Sequence, residues 1–238
     1  VLKLAGQPDK AAKEFDKALK MMRPDQNSVR TVANAFTRVN ELDLALEAYE
    51  RGQRNVKDGM TFHYEMAGLY AAKGDVPRMV NAYLDLLTVN EGYMQAVQNA
   101  LSRHMDFEVA DDRTELLRTE LLRRIQRSPQ QSIFQEMLIW MYIQQKDLTS
   151  ALVQCKAMDK RFNEGGLRLM ELARIASANG DHATAYKCYE YVLGLGRNDA
   201  TYYQARIGAV HTRYLELTGQ SEPLRADLLD LDQRMAGT

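Results

Sequence analysis

The stretch AKGDVPRMVNAYLDL, residues 72–86, reads as the end of one helix, a tight turn and the start of a second helix. Gly74 can adopt the left-handed conformation that closes a helix C-terminus. Asp75 can accept hydrogen bonds from the free N–H groups that open the next helix, and Pro77 falls in its first turn, where a missing N–H costs nothing. The stretch therefore predicts two helices joined by a short turn.

Four other segments share this arrangement: AGQPDKAAKEFDKAL (5–19), RVNELDLALEAYERG (38–52), QQKDLTSALVQCKAM (144–158) and ANGDHATAYKCYEYV (178–192). The turn residues of the five segments, in chain order, are Gly6, Asn40, Gly74, Lys146 and Gly180. Positions 6, 40 and 74 are 34 residues apart, as are 146 and 180, and the remaining gap of 72 corresponds to one interval of 34 and one of 38. Because a lysine tolerates the left-handed conformation less well than Gly or Asn, we expect modest strain at Lys146.

Two further positions recur in the same frame. A mostly small residue follows each turn by five positions, and a mostly large one by nine: Ala11, Ala45, Met79, Ala151 and Ala185, then Phe15, Tyr49, Tyr83, Cys155 and Tyr189. Small side chains let two helices approach closely, and large ones fill the space between neighbouring pairs. With its 34-residue period, the pattern resembles the tetratricopeptide repeat family. The tryptophan typical of that family is absent, since Val29, His63, Gln135 and Leu169 stand at its position.

This resemblance implies an all-α fold, a right-handed α-α superhelix (solenoid) that forms a single domain over residues 1–238. In this frame the chain comprises a lone second helix (1–25), repeats at 26–59, 60–93, 94–131, 132–165 and 166–199, and C-terminal helices over 200–238. We expect the first helix of this tail to reach Thr218 and the last to lie near 222–235. A chain that starts at Val1 with a lone second helix is expected to be a fragment of a longer protein.

Composition and charge exclude several other classes. Thirty-one basic and 32 acidic residues leave a net charge of −1, which provides no electrostatic footprint for nucleic acid or an anionic membrane. The longest apolar run, 137–143, is far shorter than the roughly 20 residues that span a bilayer. Only 14 glycines and 5 prolines argue against an all-β architecture. Compartment and oligomeric state stay open.

No pattern of residues predicts catalysis. Phosphate-binding and nucleophile motifs are absent, and the histidines fall in different repeats: His63, His104, His182 and His211. Cys155 and Cys188 are expected to be buried free thiols rather than a disulfide. We therefore predict a protein that is not an enzyme and needs no cofactor or metal.

In the tetratricopeptide repeat family, the first helices of the pairs line a concave groove. Transferred to this chain, the groove positions give a candidate peptide-binding set: Arg30, Asn34, Arg38, Tyr64, Glu136, Trp140 and Arg174. Trp140, the only tryptophan, either touches a ligand or packs against the lengthened repeat, 94–131. Some relatives clamp a terminal carboxylate, and Arg30 with Asn34 matches the first pair of that clamp. Glu65 stands where the clamp needs an asparagine and would repel a carboxylate, so we do not expect a full clamp.

Two functions follow from this interpretation. The leading one is a non-enzymatic module that binds a peptide or partner protein in its concave groove. The alternative is a structural spacer in a larger protein or assembly, with no groove ligand of its own.

Overall fold

The computed structural model describes residues 7–55, 61–196 and 200–219, together with Leu229. Over these residues the chain forms twelve α-helices and one 3₁₀ turn, Glu91–Tyr93, and no β-strand. The α-helices are α1 (Pro8–Met21), α2 (Gln26–Arg38), α3 (Leu42–Asn55), α4 (His63–Ala72), α5 (Val76–Val89), α6 (Met94–His104), α7 (Asp112–Arg127), α8 (Ile133–Gln144), α9 (Leu148–Phe162), α10 (Leu167–Ala178), α11 (His182–Gly194) and α12 (Ala200–Thr218). The predicted all-α helical repeat fold is confirmed.

Consecutive helices pack as pairs: α2 with α3, α4 with α5, α8 with α9, and α10 with α11. The chain divides into two compact units between Met105 and Asp106, the first holding α1–α6 and the second α7–α12. Each unit contains two of these helix pairs together with flanking helices. The right-handed superhelical path and the single solenoid domain stay predictions.

The turns within the pairs share one geometry. Asn40, Gly74, Lys146 and Gly180 all have positive φ, between 58° and 76°. In each turn the N–H of the next residue donates to the carbonyl five residues before it, at 2.9 Å in every case. This bond closes a helix in the Schellman arrangement. The fifth predicted turn residue, Gly6, lies outside the described residues.

An aspartate then starts the second helix in three of these turns. The carboxylates of Asp75, Asp147 and Asp181 each accept a hydrogen bond from the backbone N–H three residues later, at 3.0–3.1 Å. The same residue therefore donates its N–H to the helix before it and caps the helix after it. This double role explains why so short a turn suffices.

The residues that follow the turns by five positions are buried, as the sequence pattern predicts. In the second unit Ala151, Cys155, Ala185 and Cys188 are fully buried in one apolar cluster. Both cysteines are free, which confirms the prediction of buried thiols. In the first unit a Cβ at Gly52 would lie 2.7 Å from the Val29 side chain, so only glycine permits this approach of α3 to α2.

The lengthened interval, 94–131, holds α6 and α7 joined by residues 105–111. Asp111 caps α7 by accepting from the N–H groups of Arg113 and Thr114, at 3.0 and 2.9 Å. α12 ends at Thr218, as expected, whereas the predicted last helix near 222–235 lies outside the described residues except for Leu229. In the described part of the chain, no helix has both the length and the apolar composition needed to cross a bilayer.

Candidate functional site

The seven candidate binding residues fall into two sets. Arg30, Asn34 and Arg38 lie on α2 and Tyr64 on α4, all in the first unit. Glu136 and Trp140 lie on α8 and Arg174 on α10, in the second unit. Each set occupies the first helices of its helix pairs. A single groove lined by all seven stays a prediction.

In the first unit, Arg30 is engaged by a neighbouring helix. Its Nε and Nη2 atoms both lie 2.8 Å from Oε1 of Glu65 on α4, and its guanidinium lies 5.9 Å from the ring centroid of Phe62. A ligand carboxylate at this point would have to displace Glu65. The contact supports the view that Glu65 disfavours a carboxylate clamp.

Tyr64 precedes Glu65 on α4 and makes an aromatic contact with the second helix of its pair. Its ring packs edge-to-face on Tyr83 of α5, with centroids 5.9 Å apart, while 37% of the residue remains exposed. Asn34 and Arg38 are exposed on α2. Helices α2 and α4 thus carry one oriented aromatic ring, Tyr64, together with two polar side chains that are open to solvent, Asn34 and Arg38.

In the second unit, Trp140 contacts the lengthened interval. Its ring packs edge-to-face on Phe107, with centroids 5.0 Å apart and an interplanar angle of 73°. Phe107 is buried in the connection that precedes α7, whereas Trp140 is only partly buried. Phe107 therefore sets the orientation of Trp140 and leaves part of the residue accessible.

Glu136 forms an ion pair with Arg168, an arginine that was not among the candidates predicted from the sequence. Arg168 of α10 makes two hydrogen bonds to Glu164, at 3.0 and 2.8 Å, and its Nη2 lies 3.5 Å from Glu136. Hydrogen bonding to Glu164, followed by the charge of Glu136, raises the pKa of Arg168. The spacing of Glu164 and Arg168, four residues apart, is a signal that could have identified the first of these pairs.

Arg174 is the most open of the charged candidates in this unit. It pairs with Glu171, one helical turn earlier, and 74% of its side chain is exposed. Ion pairs this exposed contribute little to stability. Arg174 can therefore exchange Glu171 for another partner at small cost.

Asp159 is a second residue that the sequence reasoning missed. Its buried carboxylate accepts hydrogen bonds from the N–H of Gly166, at 2.6 Å, and from the hydroxyl of Tyr191, at 3.0 Å. The turn it closes contains three residues with positive φ: Asn163, Gly165 and Gly166. Asp159 thereby ties the α8–α9 pair to the α10–α11 pair. An acidic residue in the last turn of a helix interacts unfavourably with the helix dipole. Such a residue at the end of a predicted helix is therefore a sequence signal that could have identified Asp159.

Metal-ligand clusters and cysteine reactivity are two kinds of chemistry on which the described residues give an observation. Over these ranges, no three His, Cys, Asp or Glu side chains converge as metal ligands would. Burial raises the pKa of Cys155 and of Cys188 to about 12, so both thiols stay protonated and poorly nucleophilic at neutral pH.

No protein-family model matches this chain, and no curated protein matches it. Among solved structures, the chain is similar to a tetratricopeptide repeat protein from Parabacteroides merdae ATCC 43184, with 13% sequence identity and a TM-score of 0.34. The similarity covers 98% of this chain and 94% of that protein. The assignment as an all-α helical repeat rests on the helices and turns of the chain itself.

Proposed function

We propose that this protein is a non-enzymatic interaction module that binds a segment of a partner protein on the exposed side of α8 and α10, with Trp140 as the anchor. The observation that carries the proposal is the state of Trp140, which Phe107 orients but does not fully cover. Tryptophan is among the residues that contribute most to binding energy at interfaces. An indole that is already oriented loses less conformational entropy on binding.

The charges around this face favour a partner recognised mainly by apolar and aromatic contacts. Glu136 shares Arg168, and Arg174 has Glu171, so the charged candidates in this unit have partners of opposite sign within the chain. Arg30 is likewise paired with Glu65 in the first unit. Together with the net charge of −1, this pairing makes electrostatic attraction a minor part of recognition.

A peptide-display experiment tests the proposal. Random peptides displayed on phage would be selected on the full chain, and the selected peptides titrated against it. Because Trp140 is the only tryptophan, its emission reports directly on this face. We expect a saturable emission change, and a loss in affinity of about tenfold or more in Trp140→Ala, which corresponds to about 1.4 kcal/mol.

Two matched variants separate binding from folding. Trp140→Phe keeps an aromatic ring against Phe107 and should retain part of the affinity, measured by anisotropy of a labelled peptide. Tyr93→Ala removes an aromatic residue that is 43% exposed, from the first unit, and should leave affinity unchanged. Selected peptides that bind Trp140→Ala as tightly as the parent chain would exclude this face as the binding site.

The second candidate function is a structural spacer. The observation favouring it is the internal pairing of Arg30 and Glu136, which already have partners of opposite charge within the chain. A spacer predicts that selection yields no peptide with saturable binding. Any selected peptide that changes Trp140 emission contradicts the spacer interpretation.

A further inference from the structure

We propose that Asn179 is a site of spontaneous deamidation, and that opening of the turn between α10 and α11 controls the rate of this reaction. Asn179 is the only asparagine in the sequence that is followed by glycine. Asn179 and Gly180 are both exposed, so water reaches the pair. The proposal does not depend on binding at Trp140.

Deamidation at an Asn–Gly pair needs water and no other reactant. The backbone nitrogen of Gly180 loses its proton and attacks Cγ of Asn179, which closes a succinimide ring. The Cγ–Nδ2 bond breaks, and the amide nitrogen leaves as ammonia with that proton. Water then opens the ring at either carbonyl carbon, so residue 179 becomes an aspartate or an isoaspartate.

The absence of a side chain at residue 180 leaves this nitrogen accessible. A Cβ at Gly180 would have no atom beyond its chain neighbours within 4 Å, so other parts of the protein do not crowd it either. Asn40 provides a comparison within the chain, because it lies in an equivalent turn but precedes Glu41, whose side chain hinders the same attack. We therefore expect reaction at Asn179 and not at Asn40.

The closed turn holds both reacting groups in hydrogen bonds. The Gly180 N–H donates to the carbonyl of Ser177 at 3.0 Å, and Nδ2 of Asn179 donates to the carbonyl of Ile175 at 2.8 Å. Ring closure also requires the Gly180 nitrogen and Cβ of Asn179 to lie nearly eclipsed about the Cα–C bond, whereas ψ of Asn179 is 2° and keeps them apart. The turn must therefore open before the chain reacts, and the rate follows the population of the open turn.

An isoaspartate at position 179 would alter the turn permanently. The main chain would then pass through the former side chain, which adds one carbon atom to the backbone just before Gly180. Asp181 could no longer both donate its N–H to Ala176, at 2.9 Å, and accept from the N–H of Thr184, at 3.0 Å, in the present geometry. The modification thus weakens the end of α10 and the start of α11 together.

A comparison of rates tests both parts of the proposal. The full chain, folded or unfolded in urea, and a synthetic peptide of residues 175–187 would be incubated at neutral pH, with the peptide also in urea. Trypsin releases residues 175–187 from the chain, so mass spectrometry follows the same fragment in every sample. We expect the unfolded chain to react as fast as the peptide, and the folded chain at least about tenfold more slowly. Equal rates in the folded chain and the peptide would overturn control by the turn, and a peptide that stays intact would overturn the site.

A matched pair of variants attributes the control to this turn. Asp181→Ala removes the carboxylate that caps α11, and loss of such a cap should speed deamidation of the folded chain about fivefold. Asp147→Ala removes the equivalent cap at the start of α9 and should leave the rate at Asn179 unchanged. A peptide with the Asp181→Ala change corrects for any effect on the chemistry itself, and urea unfolding checks that both variants fold. If Asp181→Ala reacts no faster than Asp147→Ala, local opening of this turn does not set the rate.

The product tests the expected effect on the helices. Fragment masses would distinguish isoaspartate from aspartate at position 179, and Asn179→Asp supplies the added charge without the longer backbone. We expect the deamidated chain to unfold at lower urea concentration than Asn179→Asp, while Asn179→Ser incubated for the same time keeps its midpoint. Equal midpoints for the deamidated chain and Asn179→Asp would show that the longer backbone does not weaken the turn.

Discussion

Lys146 occupies a turn position whose left-handed backbone conformation suits glycine or asparagine better than lysine. Its φ is 58°, in the region that the other described turns fill with Asn40, Gly74 and Gly180. The left-handed conformation costs a residue with a Cβ about 1–2 kcal/mol. The sequence frame predicts this strain, since the turn position is set by spacing and the lysine occupies it.

We expect Lys146→Gly to stabilise the protein modestly. Relief of the left-handed strain is partly offset by the greater freedom of glycine in the unfolded chain, which leaves a gain of about 0.5 kcal/mol. Urea unfolding would measure it. Lys146→Ala serves as control because it also removes the ion pair to Glu108, at 2.8 Å, but keeps the strain. An equal gain in both variants would mean that the turn is not the source.

At the scale of the helix, the capping aspartates determine the residue at which a helix begins. Hydrogen bonding from the backbone N–H of Arg78 is the main cause that lowers the pKa of Asp75, and the N–H of Thr114 does the same for Asp111. Both carboxylates therefore titrate at lower pH in the folded chain than in the unfolded one. Their contribution to stability is complete above their unfolded pKa, near 4, and is lost as pH falls through the folded value.

We accordingly expect the urea midpoint of the protein to decrease between about pH 5 and pH 3. Asp75→Asn can still accept the bond from Arg78 but does not titrate, so its midpoint should depend less steeply on pH over the same interval. Asp85→Asn, a partly exposed acid in the interior of α5, serves as the control. A pH dependence unchanged in Asp75→Asn would contradict the assignment.

Most of these elements could be predicted from the sequence because their signals are local. A helix end, a left-handed residue and a capping aspartate occupy a few consecutive positions, and their spacing repeats. The candidate site was less predictable, because its contacts join positions about one repeat apart: Arg30 with Glu65, Glu136 with Arg168, and Asp159 with Tyr191. The 34-residue period indicates which parts of neighbouring repeats lie side by side. It does not identify the exact partner of a side chain, because that partner depends on how the helix faces pack against each other. Phe107, the partner of Trp140, lies in a connection that has no periodic pattern at all.

At the scale of the whole molecule, repeat proteins are stabilised mainly by contacts between neighbouring elements. Ala151 is fully buried at a crossing in the second unit, and Val153, two residues later on α9, is 59% exposed. We expect Ala151→Trp to lower the free energy of unfolding, by about 1–3 kcal/mol or more, because the crossing has no room for an indole.

Hydrogen exchange would locate this effect. Amides of α8–α11 should exchange faster in Ala151→Trp, and the change should diminish towards α2 and α3. Val153→Trp adds the same side chain to an exposed position and should leave the pattern close to that of the parent chain. Tolerance of Ala151→Trp with no loss of stability would show that the assigned repeat frame is wrong.

The short turns within the helix pairs also limit where the chain can accept an insertion. In three described turns one aspartate both closes a helix and opens the next, so an inserted residue would disrupt two helix ends at once. Residues 108–110, by contrast, are exposed and lie outside α6 and α7. An epitope tag or a fluorescent reporter placed there would lengthen a connection that is already longer than the turns within the helix pairs, and would leave every helix cap intact.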